Sequence, residues 1–270
     1  PFELTLKREI IKSRSVRSEV LGGDTLYVRL SSFMETTGGE LEKVLRKETA
    51  KDSKIKGIVM DLRGNPGGLL NQAVRVVNLF VDQGTIVYTQ GRDAKSKDVQ
   101  YAQKGVKVSD LPLVVLISGS SASASEIVAG ALQDHGRAII AGQRSFGKGS
   151  VQTVIPLGDG SGLKVTIARY YTPNGRSIQA KGIEPDFELL PVDPEIVKKL
   201  KADSKYRSEA DLDGHLANLA DEIEEQNEKL STLKEKLEND YMVTQARGIL
   251  HIGKKKAEAD PAPAKDAAKK

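Results

Sequence analysis

The chain has no cysteine and no tryptophan, and only three histidines. Without cysteine there is no disulfide and no thiolate metal site. That absence fits a cell-envelope protein and a cytosolic one equally. Aromatic residues make up 4% of the chain, which argues against a base-stacking surface. The formal net charge of +4 over 270 residues is too slight to imply nucleic acid as a partner. No apolar run approaches the roughly 20 residues that a membrane-crossing helix needs, and no signal-peptide pattern is read in these residues, which says nothing of the parent protein. The chain opens at Pro1 inside a strand-like pattern, FELTLKREI, and is expected to be a fragment of a longer protein.

Apolar residues account for 39% of the chain, enough for a core. Strand-like and helix-like patterns alternate from residue 24 to residue 142. Strands are expected at 24–33, 54–62, 84–90, 111–118 and 137–142, and helices at 37–50, 69–81 and 123–135. KGSVQTVIPL and GLKVTIARYYT form a hairpin about the turn GDGSG. Residues 91–110 read as a polar surface loop, and residues 1–17 as a terminal strand whose partners are missing. The alternation predicts an α/β domain with βαβ crossovers and a mixed sheet.

Beyond Pro191 the composition changes. Leu212, Leu216, Leu219, Ile223, Gln226, Leu230, Leu233 and Leu237 follow heptad spacing. Two readings stand side by side: an amphipathic helix packed on its own domain, and a coiled-coil-like helix for oligomerisation or partner docking. Residues 253–270, rich in Lys, Ala and Pro, are expected to be disordered.

The strand LPLVVLIS runs straight into GSSASASEIVAG, a dense serine run that leads into a helix. A nucleophilic serine needs a base, a sharp turn to present it, and N–H donors for the oxyanion. Histidine is not in reach. His135 closes the same helix, and its distance from Ser123 along the axis is about 18 Å. His215 and His251 lie in the charged C-terminal third. Lysine can replace histidine as base, but only when its amine is neutral, which burial favours. Lys148 sits among Phe146, Gly147, Gly149 and Val151, an apolar and glycine setting unlike that of the other lysines; an ordinary loop lysine is the competing reading. In DLRGNPGG, Gly67 and Gly68 let backbone approach a neighbour closely, although a plain tight turn explains them equally. Neither glycine cluster matches a phosphate-binding loop.

DLRGNPGG, GSSASASEIVAGALQDHGRA, SFGKGSVQT and ARYYTPNGRSIQAKGIEPD together resemble the carboxyl-terminal processing, or tail-specific, proteases in order and spacing. The resemblance covers about residues 1–190. It implies a mixed-sheet protease core of βα units, crotonase/ClpP-like, carrying a C-terminal helical, coiled-coil-like extension. It implies a serine endopeptidase that cuts near the C-termini of cell-envelope proteins, in the periplasm or envelope of a bacterium. Ser123 would be the nucleophile, Lys148 the general base and Gln152 the residue that orients it. Lys148 and Gln152 are four apart, so on a strand they share a face. Backbone N–H of Ala124 and of Gly68 or Gly67 would form the oxyanion hole, with the choice between the glycines left open. Ser121 and Ser125 would hold the turn, Glu126 would stabilise it from the first helical turn, and Asp134 would be structural.

The family usually carries a PDZ domain, a peptide-tail binder, before the core. Here PFELTLKREI resembles only its last strand. The expected division is therefore a remnant at 1–20, the protease core at 21–190, a helical region at 191–252 for homo-oligomerisation or an adaptor protein, and a tail at 253–270. Expected partners are protein or peptide substrates, with no nucleic acid, no cofactor and no metal. The competing functions are a catalytically silent scaffold and an acyl-CoA enzyme of the crotonase type; the latter leaves Lys148 without a role.

Overall fold

The computed structural model describes residues 14–50, 52–93, 96–190 and 237–259. Six strands form one sheet in the order β1-β2-β3-β6-β7-β10. They are β1 (Val16–Leu21), β2 (Thr25–Leu30), β3 (Gly57–Asp61), β6 (Leu113–Ile117), β7 (Ile139–Gly142) and β10 (Phe187–Glu188). All run parallel except β1, which pairs antiparallel with β2. A smaller antiparallel sheet has the order β5-β4-β9-β8, from β4 (Thr85–Gln90), β5 (Asp98–Tyr101), β8 (Ser150–Pro156) and β9 (Gly162–Tyr171). The helices are α1 (Thr37–Glu48), α2 (Leu70–Asn78), α3 (Ala124–Asp134) and α4 (Tyr241–Ala259).

The central strands GIVMD and LVVLI are buried along their whole length, as parallel strands are when both faces are covered. Alternation along them sorts two cores. Leu26, Val28, Ile58, Met60, Leu113 and Val115 face α1, α2 and α3. Tyr27, Val59, Val114, Leu116 and Ala141 face the other way, onto Met242, Val243, Ala246 and Leu250 of α4. Full burial of each such large apolar side chain is worth about 1.5–3 kcal/mol, so α4 is a structural layer of the domain.

The expectations fare differently here. The terminal strand read over residues 1–17 lies mostly outside the described residues; its last two, Val16 and Arg17, begin β1, which pairs in register with β2 from Val16 opposite Leu30 to Leu21 opposite Thr25. Residues 91–110, expected to be a surface loop, contain β5, an edge strand on β4. The heptad pattern of 212–233 lies outside the described residues, as do residues 1–13 and 260–270; residues 253–259, expected to belong to a disordered tail, instead continue α4 to Ala259. Leu237, at its end, is buried in the core beneath α4.

Candidate active site

Strands β3 and β6 are parallel neighbours with Asp61 opposite Leu116, so the segments leaving their C-terminal ends emerge side by side. The end of β6 turns sharply into α3. At that elbow Ser123 has φ 55° and ψ −112°, a region that L-residues rarely occupy and that costs on the order of 1–3 kcal/mol. Ser121 and Ser125 are buried and Ser123 is half-exposed. The Ser121 hydroxyl donates to the Leu62 carbonyl at 2.8 Å and accepts from the Ser118 N–H at 2.9 Å. The Ser125 hydroxyl donates to the Asn65 carbonyl at 3.0 Å. Both serines therefore tie the elbow to the turn after β3, and Ser123 is the serine of the three left facing outward.

That turn carries the glycines. Asn65 is buried; its amide donates to the Leu30 carbonyl at 2.8 Å, and its side-chain oxygen accepts from the Gly67 N–H at 2.9 Å. A Cβ on Gly67 would lie 2.8 Å from the Ser123 Cβ and 2.9 Å from the Ala124 nitrogen, so only glycine lets the turn touch the elbow. Gly68 is held against Phe33 through the Leu69 N–H and the Phe33 N–H. Among the described residues, neither the Gly68 N–H nor the Ala124 N–H has a hydrogen-bond acceptor. The Gly67 N–H is already engaged, which separates the two glycines that the sequence left equivalent.

The third segment, 145–149, is hung from Glu126. This carboxylate is fully buried and accepts four hydrogen bonds. Oε2 takes the Ser123 N–H at 2.7 Å and the Lys148 N–H at 2.8 Å. Oε1 takes the Ser145 hydroxyl and the Gly147 N–H, both at 2.6 Å. The backbone nitrogens of Ser123 and Lys148 thus share one oxygen, which fixes the Lys148 backbone beside the elbow. Gly149 is clamped as well: its N–H donates to the Gln179 side chain at 3.1 Å, and its carbonyl accepts from the Tyr170 N–H at 2.7 Å.

The side chains of this segment differ from expectation in two ways. Lys148 is exposed rather than buried, and Phe146 beside it is 68% exposed; no hydrogen bond joins Lys148 Nζ to Ser123 Oγ. Gln152 does not share a strand face with Lys148. Lys148 precedes β8, and a register shift between Val151 and Gln152 breaks the alternation on which that argument relied. Gln152 is exposed and donates to the Thr166 hydroxyl across the hairpin at 3.4 Å.

A charged network beneath the glycine turn was not anticipated. Asp61 is fully buried and accepts from the Tyr27 hydroxyl at 2.6 Å and from Arg63 at 2.7 Å and 3.0 Å. Arg63 also grips Asp240 through two bonds of 2.8 Å and 3.1 Å. Burial would raise the Asp61 carboxyl, but the Arg63 guanidinium, the Tyr27 hydroxyl and Arg29 hold it below the ordinary carboxylate range. Burial, reinforced by the charge of Asp61, pushes the Tyr27 hydroxyl well up. The signal was legible: an aspartate inside an apolar strand demands a partner, and Arg63, two residues on, lies on the same face. Asp134, expected to be structural, holds the turn after β9 by accepting from the Asn174 N–H at 2.8 Å and from Arg176.

A parallel sheet that presents a strained serine between strand and helix, beside free backbone N–H groups, is a layout that serine hydrolases use for acyl transfer. The model of peptidase family S41 matches residues 24–189, and the chain belongs to that family. It is 47% identical over 220 residues to the carboxy-terminal-processing protease of Bartonella bacilliformis, covering 80% of this chain and 49% of that one. It is 38% identical to the carboxy-terminal processing protease CtpA of Bacillus subtilis, covering 77% and 44%. Among solved structures, the photosystem II D1 C-terminal processing protease superposes with a TM-score of 0.60 at 36% identity, covering 71% and 53%. The chain spans about half the length of the curated relatives it matches.

Proposed function

We propose that this chain is the proteolytic core of a serine endopeptidase that cleaves near the C-termini of protein substrates in a bacterial cell envelope or periplasm. The observation that carries the reading is the half-exposed Ser123 at its strained elbow, flanked by two N–H groups that have no acceptor among the described residues. Ser123 Oγ attacks the scissile carbonyl while Lys148 takes its proton. The oxyanion is received by the N–H groups of Ala124 and Gly68. Collapse of the tetrahedral intermediate breaks the C–N bond, and the proton on Lys148 goes to the leaving amine. Water, deprotonated by the same lysine, then releases the acyl group as a carboxylate.

Lys148 must lose its exposure to act as a base. A peptide lying across Phe146 and Lys148 supplies that cover, because both side chains project beside the elbow from a clamped backbone. Gln152 would orient the amine after a rearrangement of the start of β8. The core is of the crotonase/ClpP-like kind, with the PDZ remnant before it and oligomerisation or adaptor docking assigned to the region after residue 190.

The test is digestion of an unstructured protein such as casein. The parent chain should cut it, whereas Ser123→Ala and Lys148→Ala should not. Three proteins that behave alike would remove the Ser-Lys assignment and favour a silent scaffold.

A further inference from the structure

The contact of Arg63 with Asp240 joins residues 177 positions apart, and it sits at a mechanically sensitive place. Arg63 opens the turn that ends at Gly68. Its own N–H is held by Asp61 at 2.9 Å, and its guanidinium is shared between Asp61 and Asp240. From Arg63 the turn runs into Asn65, whose carbonyl accepts the Ala122 N–H at 3.0 Å and the Ser125 hydroxyl at 3.0 Å. Asp240 is therefore linked to the elbow that carries Ser123 by its hydrogen bonds to Arg63, the covalent turn from Arg63 to Asn65, and the hydrogen bonds that Asn65 accepts. At its other end Asp240 stands at the start of α4: its carboxylate accepts the Val243 N–H at 3.0 Å, and its carbonyl accepts the Thr244 N–H at 2.9 Å. One side chain both caps the C-terminal helix and anchors the root of the glycine turn.

We infer that Asp240 is a positioning residue for the peptidase reaction: docking of the C-terminal segment, read out through Arg63, sets the turn that places the Gly68 N–H beside Ser123. The inference rests on the peptidase function proposed above. Its consequence is that displacing Asp240 from Arg63 changes turnover with no substitution at Ser123, Lys148 or Gly68.

Asp240→Asn is the informative variant, because asparagine still caps a helix but gives Arg63 a neutral partner with a single acceptor. The expected result on a casein-derived peptide is a kcat about tenfold lower, equivalent to about 1.4 kcal/mol, with KM within about twofold of the parent. The backbone amides of Asn65, Gly67 and Ala122, all hydrogen-bonded in the turn, should exchange faster with solvent. Leu250→Ala, on the same helix but packed against Gly57 at the far end of β3, controls for general loosening; it should lower the melting temperature and leave kcat unchanged below the transition. Equal losses of kcat in the two variants would overturn the inference, as would unchanged kcat and unchanged amide exchange in Asp240→Asn. If the parent has no peptidase activity, the proposed function fails. Amide exchange then still decides the coupling: faster exchange in the turn supports it, and unchanged exchange overturns it.

Discussion

At Glu126 one carboxylate does the work of a small interface. Its four donors come from the elbow and from the segment that carries Lys148, and among the described residues it has no ion-pair partner. Glu126→Gln turns one acceptor oxygen into an NH2 that faces donors. Hydrogen bonds to charged groups are worth about 1.5–3 kcal/mol each, so the variant should lose about 3 kcal/mol of stability by urea titration. Its kcat should fall by at least about 100-fold, because Ser123 and Lys148 lose their common tether. Gly67→Ala is the steric counterpart: at φ 102° the new methyl lands against Ser123 and Ala122, and a folded variant with undiminished activity would refute the close approach. Asp61 makes a pH prediction. Its carboxyl titrates lower in the folded chain than in the unfolded one, so its stabilisation is full above the unfolded value of about 3.9 and is lost as pH falls through the folded value. Asp61→Asn should cost about 3–5 kcal/mol at neutral pH, since it leaves Arg63 short of a partner. The gap between parent and variant should narrow below about pH 4.

Among the elements, α4 is the one whose role the sequence disguised. Met242, Val243, Ala246 and Leu250 form a helical stripe that meets the outer face of the sheet. The stronger heptad pattern just before it drew the C-terminal region toward an oligomerisation reading instead. Leu250→Ala should cost about 2–5 kcal/mol, measured by thermal or urea unfolding. The elbow, by contrast, was legible, because everything that makes it lies within a few residues: an apolar strand, small side chains, and an acidic residue in the first helical turn. The exposure of Lys148 was not legible, since its flanking sequence is apolar and glycine-rich but burial is decided by what packs over it. A single register shift between Val151 and Gln152 was likewise not legible, and it matters because alternation along a strand holds only while the ladder is unbroken. The pairing of β1 was hidden for a similar reason: alternation marks a strand but does not name its neighbour, which follows only after the three-residue turn Gly22–Asp24 folds β1 back on β2.

For the molecule as a whole, the two cores make the sheet dependent on a segment from the far end of the chain. A chain ended at residue 190 would uncover Leu21, Tyr27, Val59, Val114 and Leu116 together, an apolar face of the kind that drives association. Such a chain should aggregate, visible as a rise in light scattering, whatever the heptads do. A test of oligomerisation must therefore keep α4 and alter the heptads alone. Leu219→Asp with Ile223→Asp should lower the particle mass in sedimentation if those positions hold copies together, and an unchanged mass would remove that role.

The backbone at Ser123 sets catalysis against endurance. With φ at 55° and ψ at −112°, the position suits glycine better than any residue with a side chain. Ser123→Gly should therefore be more resistant to unfolding than Ser123→Ala, by about 1 kcal/mol, although both lack the hydroxyl. A lineage of this chain freed from selection for peptide cleavage would be expected to drift toward glycine there, so the residue found at that one position is a record of whether the elbow is still in use.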